Sequence, residues 1–198
     1  KPSNIMLTVR GGMPDFVKVL DFGLVKQLQE TAGNLSTAGQ VLGTPLYMAP
    51  EALTAPDAVG PAADIYAVGA VAYFLLTGRN VFEAESTLEL VAKQLTSPPA
   101  APSALAPAAI PPALDAWVLR CLAKNPADRP ESAAVAAAQL AEACGEQWSA
   151  DDASAWWAAR GAELKGRDRS SGDAVSAIGP TVAVSNDSLR GQATSAPR

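Results

Sequence analysis

The chain has 198 residues, 48% of them hydrophobic, and a net charge of -5. Its 15 Lys and Arg residues form no run, which excludes a general nucleic-acid surface, because neutralising phosphates takes clustered positive charge. It contains no histidine, which removes Ser-His-Asp and Cys-His catalysis and His-ligated metals from this chain, and no apolar run of about 18 residues or signal-peptide pattern, so the expectation is a cytoplasmic chain without a membrane segment, anchored if at all through a segment outside it.

In chain order, "NIMLTVRGGMPDFVKVLDFG" from Asn4 reads as a hairpin, two short apolar runs on either side of Gly11 and Gly12. Two strands do not make a stable sheet, so the hairpin is expected to lean on helices or on a further partner. Residues 25 to 50 follow neither helix nor strand period, and a loop of that length inside a compact domain is usually functional. "DIYAVGAVAYFLLTG", Asp64 to Gly78, is apolar almost all round and predicts a helix buried on every side, bracketed by Pro61 and Gly78.

Ser86 and Glu89 form an S-x-x-E capping box that opens an amphipathic helix. A Pro- and Ala-rich connector leads to "ALDAWVLRCLAKN", and another helix is expected from about Glu131 to Ala143. Ser149 with Asp152 resembles a further cap, before a short helix carrying Trp156 and Trp157. Cys121 and Cys144 lie in helical stretches without metal-type spacing, as buried thiols of a reducing compartment would. The reading is mainly α with a short β-hairpin. Residues 164–198, rich in Ser, Gly, Ala and Asp, read as a disordered tail.

Chemistry without histidine falls to carboxylates, Lys, Asn or a bound cation. Asn4 lies in "KPSN" and Asp21 ends the second strand of the same hairpin, an arrangement that can present an amide oxygen and a carboxylate to a hard cation such as Mg²⁺. Taken alone, the pair is more simply a loop asparagine and a turn aspartate. A third stretch, "GTPLYMAPE" from Gly43 to Glu51, precedes the apolar helix.

With "KPSN", "DFG" and "APE" in this order and spacing, residues 1 to about 143 resemble the C-terminal lobe of a eukaryotic-like protein kinase of the Ser/Thr type, and "LGTPLYMAPE" with the Ala-rich composition looks bacterial. The resemblance implies a protein-kinase-like fold, C-terminal lobe only, over 1–144, a Trp-containing helical extension over 145–163, and transfer of the γ-phosphoryl of ATP to protein Ser or Thr hydroxyls. It implies ATP with Mg²⁺ or Mn²⁺ as cofactor and proteins as substrates. Asp21 and Asn4 would hold the metal, and Lys1 would neutralise the transferring group.

Phe22 would pack to set active and inactive states, and Gly23 would let the backbone turn. Thr44 would brace the catalytic loop, and Leu46 to Met48 would line the pocket beside the acceptor residue. Thr31, Ser36 and Thr37 would be phosphorylated in the activation loop, which Ala49, Pro50 and Glu51 close. Glu51 would pair with Arg129, which residue context alone reads as a surface charge beside a helix. Asp64 would anchor the catalytic-loop backbone from within the lobe, where position alone gives it a helix-dipole role.

The family's catalytic aspartate would lie two positions before Lys1, and its glycine-rich loop, strand lysine and partner glutamate are not among these 198 residues. The chain therefore reads as part of a larger kinase, with a pseudokinase or scaffold as the alternative. Trp148, Trp156 and Trp157 lie beyond the resemblance. They read as aromatics of an added helix that covers the lobe, with docking of a partner as the alternative.

Overall fold

The computed structural model describes residues 1–11, 13–20, 45–145, 148–168 and 182–183. In chain order the elements are β1 (Ile5–Arg10), β2 (Met13–Val19), α1 (Pro50–Thr54), α2 (Ala62–Thr77), α3 (Thr87–Thr96), α4 (Pro112–Cys121), α5 (Ala133–Cys144), α6 (Ala150–Asp168) and β3 (Val182–Ala183), with short 3₁₀ turns between several of them. The chain divides into two compact units, residues 1–22 with 146–198, and residues 23–145.

In the first unit β1 and β2 pair antiparallel, Ile5 opposite Val19 and Thr8 opposite Phe16. The register then shifts, since Arg10 faces Met13. Pro14 and Asp15 therefore oppose the single residue Val9, a bulge on an edge strand, where a proline is tolerated. Asp15 takes a positive φ of 62° there, a region that aspartate enters more readily than most residues. Gly11, at φ 59°, opens the turn.

The hairpin finds two further elements. Helix α6 packs on β2, and β3 pairs antiparallel with β1, Met6 opposite Ala183 and Leu7 opposite Val182, giving the order β2-β1-β3. Two boundaries therefore move. The helix expected to end near residue 163 runs to Asp168, because Ala162, Glu163, Leu164 and Lys165 favour helix and outweigh Gly166. The segment read as tail contains a strand, since Val182 and Ala183 can pair with the free edge of β1.

In the second unit, α2 and α4 form the centre. Ile65, Tyr66, Ala70 and Tyr73 of α2 pack with Trp117, Val118 and Cys121 of α4 and with Leu122, all buried. The helices approach closely at Gly69, where a Cβ would lie 2.6 Å from that of Cys121. Helix α5 adds Ala136 and Ala143, and the indole of Trp117 donates to the Ala136 carbonyl at 2.9 Å.

Helix α2 is not buried on every side. Val68 and Leu75 are 51% and 54% exposed, on the face that also carries Asp64. An apolar sequence shows that a helix can be buried; a neighbour is still needed to cover it. Cys144, expected to be buried, is exposed in the last turn of α5, whereas Cys121 is buried and its thiol is pushed up to about 11 by that burial. No helix among the described residues is long and apolar enough to cross a membrane.

Candidate functional site

Lys1 to Asn4 enter β1 through a 3₁₀ turn closed by the Asn4 N–H on the Lys1 carbonyl, 3.0 Å. The Asn4 carbonyl in turn accepts from the Leu20 N–H at 2.7 Å. Asn4 thus stands beside Leu20, the residue that follows β2. Asp21, Phe22, Gly23, Thr31, Ser36, Thr37 and Thr44 lie outside the described residues.

The stretch Pro45 to Glu51 is described throughout. Pro45 to Met48 form a turn, closed by the Met48 N–H on the Pro45 carbonyl at 3.1 Å. Ala49 is buried and extended, at φ −69° and ψ 149°, and caps α1. Pro50 occupies the first turn, where its missing N–H leaves no helical hydrogen bond unmade. Glu51 follows, pointing its carboxylate at Arg129.

Arg129 is the most heavily bonded side chain among the described residues of this unit. Its Nη1 and Nη2 donate to the two Glu51 oxygens at 2.7 and 2.8 Å. The same nitrogens donate to the carbonyls of Ala62 at 2.9 Å and Lys124 at 3.1 Å, and Nε donates to Ala123 at 2.8 Å. All five guanidinium N–H groups are thereby used. The planar group also lies over the Tyr66 ring, 5.1 Å from its centroid. The Arg129 side chain is 0% exposed and that of Glu51 16%, so the surface-charge reading of Arg129 is overturned.

Burial is the largest single influence on Glu51 and works to raise its pKa, but hydrogen bonds and charge from Arg129, with a backbone bond, outweigh it and hold the carboxyl below its usual value. The pair ties α1 to the start of α2 and to the residues that follow α4. Asp64 is exposed in the first turn of α2, so the burial that the anchoring role would add is not seen, and its charge there suits the helix dipole.

Three residues that the motifs did not single out complete the picture. Gln94, 1% exposed, donates from Nε2 to the Pro45 carbonyl at 2.6 Å and the Met48 carbonyl at 3.3 Å. Its signal was a polar residue one turn after Leu90, on the apolar stripe of α3. Lys124 donates to the Gln94 carbonyl at 2.6 Å and stands over the Phe82 ring at 4.4 Å. Burial, then the charge of Arg129, brings its pKa down to about 8.

The third is Asp15, in the sheet unit. At the bulge its carboxylate accepts the indole N–H of Trp148 at 2.7 Å and also that of Trp157, and the Trp156 and Trp157 rings meet edge to face at 5.0 Å. The indoles of Trp148 and Trp157 are thus anchored on the hairpin of their own unit, while the side chains of Trp148 and Trp156 stay exposed.

The model of the protein kinase domain matches residues 1–145. Serine/threonine-protein kinase pkn3 of Myxococcus xanthus is 46% identical over 143 residues, 71% of this chain and 26% of that protein. Pkn1 of the same organism is 48% identical over 130 residues, 65% of this chain and 18% of that protein. PknD of Mycobacterium tuberculosis is 40% identical over 129 residues, again 65% and 18%. The solved structure of the PpkA-294 apo form aligns with a TM-score of 0.49 at 28% identity, over 68% of this chain and 43% of that one. The chain spans about a quarter or less of the length of these curated relatives. Its kinase motifs, the pairing of Glu51 with Arg129 and the match over residues 1–145 together show that this chain belongs to the protein kinase domain family.

Proposed function

We propose that the chain is the C-terminal-lobe part of a bacterial Ser/Thr protein kinase that transfers the γ-phosphoryl of ATP to protein hydroxyls. The observation that carries this reading is the bidentate bond between Glu51 and Arg129, 78 positions apart, which the motif resemblance named in advance. Its position fits a lobe that must present a loop rigidly to a protein substrate, since phosphoryl transfer is mostly positioning and charge stabilisation.

Bound ATP with Mg²⁺ or Mn²⁺ supplies the phosphoryl group and the charge that screens it. The side-chain oxygens of Asn4 and Asp21 are hard donors of the kind such an ion takes, and the bond from Leu20 N–H to the Asn4 carbonyl brings Asn4 next to the residue preceding Asp21. Lys1 offers a cation for the transferring group, and Leu46 to Met48 a wall for the residue beside the acceptor. Thr44 is assigned the bracing role, and Thr31, Ser36 and Thr37 the regulatory phosphates.

The test is phosphoryl transfer from radiolabelled ATP by the full-length parent protein, with mass spectrometry of the product. We expect transfer that Asp21→Ala abolishes and phosphate on Thr31, Ser36 or Thr37. Nucleotide binding with no transfer under any divalent ion would point to the scaffold instead, and phosphate chiefly on Thr44 would remove its bracing role.

A further inference from the structure

Among the described residues, two buried side-chain polar atoms have no hydrogen-bond partner, Tyr73 Oη and Gln94 Oε1. The second belongs to a side chain whose other end is fully engaged. Carbonyl oxygens only accept, so the Gln94 amide must turn its NH₂ toward the carbonyls of Pro45 and Met48, leaving Oε1 without a donor in the interior. Such an orphan is destabilising. An apolar residue of similar shape would avoid it, and the helical period of α3 calls for one beside Leu90.

What the amide achieves is specific. The Pro45 carbonyl already receives the Met48 N–H at 3.1 Å, and Gln94 then bonds both ends of that turn with one group. Its own position is fixed from behind by Lys124, whose ammonium holds the Gln94 carbonyl at 2.6 Å. Tyr47, inside the turn, reaches Asn80 Oδ1 through its hydroxyl at a long 3.4 Å. The turn is therefore pinned through its backbone chiefly by a side chain from another helix.

We propose that Gln94 is a positioning residue for substrate selection: its amide sets the shape of the turn Pro45–Met48 and so decides which side chain is accepted beside the phosphorylated hydroxyl. The inference rests on the reading of Leu46 to Met48 as the wall of that pocket. Gln94 touches no reacting atom, so it acts on peptide binding and choice. ATP affinity and the chemical step are left alone.

The test uses the full-length parent protein and peptides that differ only at the residue following the acceptor, carrying a small, β-branched, aromatic or proline side chain. Gln94→Met keeps the shape, deletes both donated bonds and also deletes the orphan oxygen, so its melting temperature should stay within a few degrees. We expect the peptide KM to rise about tenfold, as two neutral hydrogen bonds allow, with kcat and the KM for ATP within about twofold. Discrimination among the peptides should collapse. Gln94→His, which restores a single N–H donor, should recover part of it. Ratios across the peptides are internal to one preparation, so a variant that folds only in part still returns them.

A merely structural Gln94 would lower kcat through loss of active protein and leave the order of preferred peptides untouched, and that result overturns the proposal alone. No transfer by the unmodified parent to any peptide would overturn the kinase reading and this inference with it.

Discussion

At Arg129 a charge with none of its side chain exposed is held because every N–H meets an oxygen. Breaking a buried pair from one side leaves the remaining charge uncompensated, which costs about 3 to 5 kcal/mol. Glu51→Ala should therefore lower the melting temperature strongly. Arg129→Ala should do so as well, through Glu51 and through the carbonyls of Ala62, Ala123 and Lys124. The double variant should lose less than the sum, and strict additivity would mean that the two are not coupled. The pH dependence has a definite sign. The folded carboxyl of Glu51 is held below its ordinary value of 4.5, so its contribution is complete above that value and is lost as pH falls through the lower, folded one. In a urea series from pH 7 to 3, Glu51→Gln should lose less stability on acidification than the parent sequence does.

Between elements, the contact of α2 with α4 is the one most sensitive to a single atom. Gly69 lets Cys121 approach so closely that a Cβ would sit 2.6 Å from the cysteine Cβ. Both atoms are fixed to helix backbones, so neither can swing away, and overpacking of this kind costs about 1 to 3 kcal/mol. Gly69→Ala should lower the melting temperature accordingly. Cys121→Ala should not rescue it, because the clash is with a Cβ that alanine keeps; rescue by that change would place the conflict at the sulfur instead. On α3 the capping box is formed with a shift. Ser86 Oγ accepts the Glu89 N–H at 3.1 Å, but the Glu89 carboxylate reaches back to the N–H of Glu85, one residue earlier than the motif predicts. Ser149 and Asp152 complete the reciprocal pattern on α6, with bonds of 3.1 and 3.0 Å.

For the molecule as a whole, the proposed C-terminal-lobe reading predicts that the 198 residues are insufficient for catalysis on their own. In that reading, positioning ATP takes a phosphate-cradling loop and a strand lysine, and transfer takes a catalytic aspartate, groups that the proposal assigns to the parent protein outside these residues. Isothermal calorimetry should find no micromolar affinity for Mg-ATP, and radiolabel transfer to a basic substrate should be absent. Tight binding or Asp21-dependent transfer by the isolated chain would overturn the C-terminal-lobe reading. Exposed apolar side chains should also make the isolated chain self-associate, visibly by light scattering. Val9, Val17 and Val19 are about half exposed on the hairpin, as are Val68 and Leu75 on α2.

By itself the sequence determined the hairpin and the main helices, and its motifs, through their resemblance to a known family, named the family and the partnership of Glu51 with Arg129 that residue context alone had missed. These rest on local signals, on motifs whose residue types are tied to their chemistry, or on periods that a short window reveals. Tertiary structure alone decided the rest. Asp64 is polar and first-turn in any reading, but only the surroundings of α2 make it exposed. Val68 and Leu75 carry the same apolar signal as Tyr73, and which of them is covered depends on where a neighbouring helix lies. Asp15 gains two indoles because a bulge turns it toward residues more than 130 positions away, and Gln94 finds its carbonyls 46 and 49 positions upstream. A hydrogen bond between distant residues leaves no period in the sequence, since its partners are chosen by the path of the folded backbone.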